Sequence, residues 1–111
     1  MSDIYKSLKI LLFIISFNGF SQEWTQVGLD IDGEQLQEYS GQSVSISSDG
    51  TRVAIGAPLH NIETADEGTA RIYQYINNTW IQLGNNIDGK KQGESSGICI
   101  SLSGDGTKVA I

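Results

Sequence analysis

Hydrophobic and polar positions alternate along this chain in short runs of four to eight residues. Ser43-Val44-Ser45-Ile46-Ser47 alternates strictly, and Arg52-Val53-Ala54-Ile55-Gly56 does so again. A period of two sends successive side chains to opposite faces, which is the pattern of a strand. Between the two runs, Asp49-Gly50 predicts a two-residue hairpin turn with both residues at positive φ. Paired in this way, Val44, Ile46, Val53 and Ile55 share a bulky face, while Ser43, Ser45, Ser47, Ala54 and Gly56 share a small one. Pro58 lacks an N–H for the ladder and ends the second strand. After a polar loop over residues 59–68, a third strand is predicted over 69–76. The turn Asn77-Asn78 tolerates left-handed backbone and leads into a fourth strand over 79–83.

The first residues break this pattern. Residues 10–17 form an apolar run behind Lys6 and Lys9, with Gly19 and Ser21 placed for cleavage after Ser21. A basic start, a short apolar stretch and small residues at the cut describe a secretory signal-peptide helix over residues 1–21. The run is far shorter than the roughly 20 residues that cross a bilayer as a helix. No membrane span is therefore expected after cleavage, and the chain is expected outside a bacterial cell, secreted or at its surface.

The chain matches itself at an offset of 56 residues. Trp24 falls on Trp80, Ile31-Asp32-Gly33 on Ile87-Asp88-Gly89, Glu38 on Glu94 and Ser40-Gly41 on Ser96-Gly97. Asp49-Gly50-Thr51 falls on Asp105-Gly106-Thr107, and Val53-Ala54-Ile55 on Val109-Ala110-Ile111. Without a gap, 17 of the 32 positions from Trp24 to Ile55 are identical. Such a period marks β-propellers and other stacked arrays, in which each unit leaves a face bare until a neighbour covers it. The division that follows is a signal peptide over 1–21, a first repeat over 22–79 and a second, truncated repeat over 80–111. Because the second copy stops within a strand, further repeats are expected in a longer parent chain. The expected fold is all-β: about two four-stranded antiparallel blades of a β-propeller, as a fragment, after the leader.

Charge and cysteine content narrow the function. The chain carries 13 acidic and 7 basic residues. That balance disfavours nucleic acid, whose phosphates demand basic patches, and anionic membrane surfaces. A single cysteine, Cys99, excludes an internal disulfide and a cysteine-built zinc site. It lies in Gly97-Ile98-Cys99-Ile100-Ser101, which reads as a buried strand where a free thiol acts as a small apolar residue.

The string from Ser40 to Pro58 resembles the FG-GAP repeat, in the variant common in long secreted bacterial proteins. Gly56-Ala57-Pro58 is the most specific piece, and the likeness covers nearly all of residues 24–111. Ser40 and Ser96 stand where the name-giving motif has Phe. The resemblance implies a β-propeller like the integrin α-subunit head, with adhesion or ligand binding at the connecting loops. Integrin-type repeats often hold calcium in an Asp-rich loop in this hairpin. Here it has shrunk to Ser48-Asp49-Gly50-Thr51 and Gly104-Asp105-Gly106-Thr107, with one carboxylate each, too few oxygens for calcium.

Other chemistry is thin. Glu63, Asp66 and Glu67 in the 59–68 loop are candidates for a hard cation such as calcium. His60, a candidate zinc ligand or base, reads more simply as polar surface. Asp32, Asp88, Glu38 and Glu94 recur with the repeat, which favours turn or unit-to-unit hydrogen bonds over catalysis. Trp24 and Trp80 recur likewise and are expected to pack sheet edges. The glycines precede no helix and form no phosphate cradle. Asn77-Asn78-Thr79 is a formal glycosylation acceptor. The chain is thus expected to be a non-catalytic secreted or cell-surface module that binds a protein or glycan. The rivals are a scaffold or docking region of a larger secreted enzyme, and a calcium-dependent adhesin.

Overall fold

A computed structural model of the chain describes residues 21–111. The leader predicted over 1–21 lies outside the described residues, save Ser21. Among the described residues every regular element is a strand: β1 (Ser43–Ile46), β2 (Arg52–Ala57), β3 (Thr69–Ile76), β4 (Thr79–Gln82), β5 (Ile87–Asp88), β6 (Ser101–Leu102) and β7 (Val109–Ala110). β1 to β4 form an antiparallel sheet in sequence order, β5 adds to the open end of β3, and β6 pairs with β7 in a second sheet.

The faces follow from the alternation. Val44 lies opposite Ile55 and Ile46 opposite Val53, while Ser43 meets Gly56 and Ser45 meets Ala54. Directly opposed residues share a face, so one side of the β1–β2 hairpin is bulky and the other small. On β3, Ile72 stands opposite Ala54 and so joins the small side.

The second unit lies on that small side. Leu102 N donates to Ser45 Oγ at 2.9 Å, Ser43 Oγ donates to the Gly97 carbonyl at 2.6 Å, and Ser48 N donates to the Gly104 carbonyl at 2.8 Å. Arg52 Nη1 reaches the Gly106 carbonyl at 2.9 Å. Leu102 and Val109, the bulky-face residues of the second unit, line a cleft with Ile72 and Leu83 of the first. The units therefore stack head to tail, bulky face against small face. Ala54, Ala57 and Ala70 are buried, where small side chains permit close approach. On the first unit's own bulky face Val44 and Ile46 of β1 are 61% and 60% exposed, while Ile55 of β2 and Arg71 of β3 are buried.

Four details differ from the expectation. The Asp49-Gly50 turn is not a two-residue hairpin: only Gly50 has positive φ, at 74°, and its N–H closes on the Ser47 carbonyl at 3.0 Å. Asp49 Oδ1 accepts from Ser47 Oγ, Thr51 N and Thr51 Oγ1 at 2.8, 3.0 and 2.8 Å, which holds a four-residue loop instead. Ser103, Asp105 and Thr107 repeat these bonds at 2.7, 3.0 and 2.7 Å. By contrast Asn77 and Asn78 both have positive φ, 50° and 63°, as their turn requires.

Cys99 is exposed and precedes β6, which begins at Ser101. The sheet is also out of phase with the repeat. β4 contains Trp80, where the second copy begins, so the boundary at 79/80 cuts a strand paired to β3. Trp24, the counterpart of Trp80, has no such neighbour and is 92% exposed. Finally, among the described residues only β6 and β7 of the second repeat pair with each other, while its residues in β4 and β5 belong to the first sheet.

Candidate functional site

The densest polar cluster joins three segments far apart in sequence. Arg71 sits within β3 between Ala70 and Ile72 and is 1% exposed; Glu38, on the loop before β1, is 2% exposed. Gln37 and Tyr39 on either side of Glu38 adopt φ of 60° and 55°. Their counterparts Gly93 and Ser95 take 70° and 52°, so this uncommon conformation belongs to the repeat and not to one side chain. It turns Glu38 inward, where its Oε1 accepts from Glu34 N at 2.7 Å. Glu94 accepts from Lys90 N and Lys91 N in the same way, at 2.6 and 3.1 Å.

Arg71 grips Glu38 with a two-pronged fork. Nη1 donates to Oε1 at 2.9 Å and Nη2 to Oε2 at 3.0 Å, a geometry that adds direction to charge. Nη2 also reaches Glu34 Oε2 at 3.1 Å. His60 is buried: its Nδ1 stands 2.5 Å from Glu38 Oε2 and 3.1 Å from Arg71 Nη2. Gln35 covers the other ring nitrogen, with Nε2 to Nε2 at 3.5 Å, and clamps the Asn61 backbone through N–H and carbonyl at 2.9 and 2.8 Å. Burial pushes the Glu38 carboxyl up, but bonds from Arg71, His60 and the Glu34 N–H, with the Arg71 charge, outweigh it and hold it at about 2. Arg71 in turn loses by burial and gains more from Glu38 and Glu34, so its guanidinium is held above its ordinary value. Among the described residues, Arg71 Nε is the one side-chain polar atom buried without a partner.

Chemically this is a clamp. A histidine oriented by a carboxylate acts as a base only if its far nitrogen faces a nucleophile or substrate. Here Gln35 occupies that side, and the cluster ties the loop around Glu38 and the loop around His60 to β3. His60 is thus not the surface residue that its sequence context predicts. Glu38 makes the turn bond that its recurrence suggests, plus an ion pair that nothing local signals. The available signal was Arg71 itself, the one charged residue of β3.

The three cation candidates are occupied or apart. Glu67 turns into its own loop and accepts from Ile62 N, Glu63 N, Thr64 N and Thr64 Oγ1 at 2.8, 3.2, 2.8 and 2.7 Å. Burial raises its carboxyl, and these four donors overcome that and bring it to about 2. Asp66 takes φ of 58° and its N–H goes to Asn61 Oδ1 at 2.8 Å; Glu63 is exposed. Among the described residues no three His, Cys, Asp or Glu side chains are arranged to hold a metal ion.

Asp88 accepts from Thr69 Oγ1 at 2.7 Å, which fastens the start of the second copy to β3. Trp80 packs on Tyr75 with ring centroids 5.0 Å apart and donates Nε1–H to the Val27 carbonyl at 3.0 Å. It closes a sheet edge, as expected, and Trp24 does not. The Asn77-Asn78 turn is exposed. Comparison with protein-family models, curated proteins and solved structures returned no match to this chain.

Proposed function

We propose that this chain is a non-catalytic binding or scaffold module, built of FG-GAP-like propeller units and exported to the cell surface or beyond. One observation carries the reading: the acidic, histidine and arginine side chains with the strongest interactions are spent on fastening loops within and between units. Glu38, Glu67, Asp49 and Asp105 each satisfy their own backbone, and Glu38 engages both His60 and Arg71 as well. Such groups fix the shape of a surface rather than react at it. The ligand, a protein or glycan, meets the loops that join the strands, since loops on a rigid scaffold carry recognition.

Two measurements test this. Produced with its own first residues in a bacterium, the chain is expected outside the cytoplasm with Gln22 as its new first residue, read by mass spectrometry. Immobilised, it is expected to retain members of a glycan array or a set of surface proteins without altering them. Turnover of any bound compound that disappears in a His60→Ala variant would overturn the reading.

A further inference from the structure

The partners of the His60 ring fix where its hydrogen sits. Glu38 Oε2 faces Nδ1, and an ionised carboxylate only accepts, so Nδ1 carries the hydrogen. Arg71 Nη2, 3.1 Å from Nδ1, directs its two hydrogens to Glu34 and Glu38 and gives none to the ring. In the neutral ring Nε2 is then an acceptor, and the Gln35 amide nitrogen faces it at 3.5 Å. That amide cannot turn over. Its Oε1 accepts from Asn61 N at 2.9 Å and its Nε2 donates to the Asn61 carbonyl at 2.8 Å, so a flip would set donor on donor and acceptor on acceptor. A second proton on His60 would therefore place a new N–H, on a residue 7% exposed, against a nitrogen that offers only donors.

We propose that the contact between His60 and Gln35 is a proton-operated latch. In the neutral ring it keeps Gln35 on the Asn61 backbone; a proton taken from solvent at Nε2 drives Gln35 off and frees the start of the 59–68 loop. The ring can take that proton in the folded chain. The charged groups packed around it are Glu38 and Glu34 from the loop before β1 and Arg71 from β3, two carboxylates against one guanidinium. An added positive charge thus meets an excess negative one. Glu67, in the loop of His60 itself, is engaged with Ile62, Glu63 and Thr64. Release is local for the same reason: residues 62–64 stay on Glu67, and Arg71 keeps its fork on Glu38. The latch belongs to the first unit and not to the repeat, because the counterpart of Gln35 is Lys91, which has no acceptor for a backbone N–H. It goes beyond the binding reading and stands without it.

His60 is the one histidine of the chain, so its ring signals in a nitrogen-15 spectrum need no assignment. At about pH 8 they should show hydrogen on Nδ1, and hydrogen on Nε2 overturns the proposal. From about pH 8 to about pH 5 histidine side chains change charge, whereas Glu38 keeps its own. Over that range hydrogen-exchange protection at the Asn61 amide, corrected for the intrinsic pH dependence of exchange, should fall about tenfold, the size of one lost hydrogen bond. Amides within β3 should keep their protection. His60→Gln takes no proton and should show no fall. Gln35→Glu should reverse the sign, because its carboxylate accepts from the protonated ring and Asn61 is then better protected at the acid end. An Asn61 amide unchanged across the range, a fall that persists in His60→Gln, or a loss shared by β3 overturns the latch. Should His60→Gln fail to fold, Gln35→Glu decides: protection that falls or stays level towards acid overturns it.

Discussion

Gly56 of β2 lies so close beneath Gly97 that a methyl group on it would overlap the Gly97 carbonyl. The two units touch here backbone to backbone, and the first prediction follows. Gly56→Ala needs no unusual φ, so its cost is overpacking alone, about 1–3 kcal/mol. It is expected to part the units while leaving β2–β3 pairing in place. Hydrogen exchange should show lost protection at the Ser48 and Leu102 amides and unchanged protection within β3.

The Glu38–Arg71 pair should behave as a buried ion pair. Arg71→Met strands a carboxylate that is 2% exposed, and breaking such a pair costs about 3–5 kcal/mol. Adding Glu38→Leu removes the stranded charge and is expected to restore part of the loss. Denaturation midpoints of the two singles and the double give the coupling directly.

Acid should unfold the chain through the same carboxylate. Glu38 titrates at about 2 in the folded chain against an ordinary 4.5, so the folded state binds the proton more weakly. Its contribution to stability is complete above about pH 4.5 and is lost as pH falls from there towards 2. Glu67 is depressed from 4.5 to about 2 and acts in the same window, and Asp49 and Asp105, depressed from 3.8 to about 2, act in its lower part. Thermal midpoints measured from pH 6 to pH 2 should therefore fall steeply, and Glu38→Gln should make that fall shallower while lowering the midpoint at neutral pH.

Calcium should leave the chain unmoved. Four donors of its own loop already occupy the Glu67 carboxylate, and a cation would have to displace them. The thermal midpoint in millimolar calcium is expected to match that in chelator. A rise of several degrees would restore the adhesin reading for the 59–68 loop.

Much of the sheet was legible from residues alone. Ser43 to Ser47 and Arg52 to Gly56 declare themselves by alternation, and Asn77-Asn78 by tolerance of positive φ, because both signals are local. The Asp49 loop was legible as a turn but not in its type. Three donors close to Asp49 hold it out of the left-handed region, and the dipeptide rule does not count them. Cys99 misled for a different reason. Its apolar neighbours describe a strand, but burial depends on what lies across from it.

The candidate site was the least legible part. Glu38, His60 and Arg71 are separated by 22 and 11 residues, and no periodicity links them. Their meeting follows from the path of two loops over the end of β3, which is a property of the packed chain.

Local alternation and the 56-residue echo of the sequence sufficed for β1 to β4, the bulky and small faces of the first hairpin and the existence of two related units. The folded chain decided which face meets which, that sheet and repeat are out of phase, and that its charges serve as fastenings. The division has a physical cause. Strand and turn preferences act over a few residues, whereas burial, ion pairing and stacking depend on distances that only the completed fold sets.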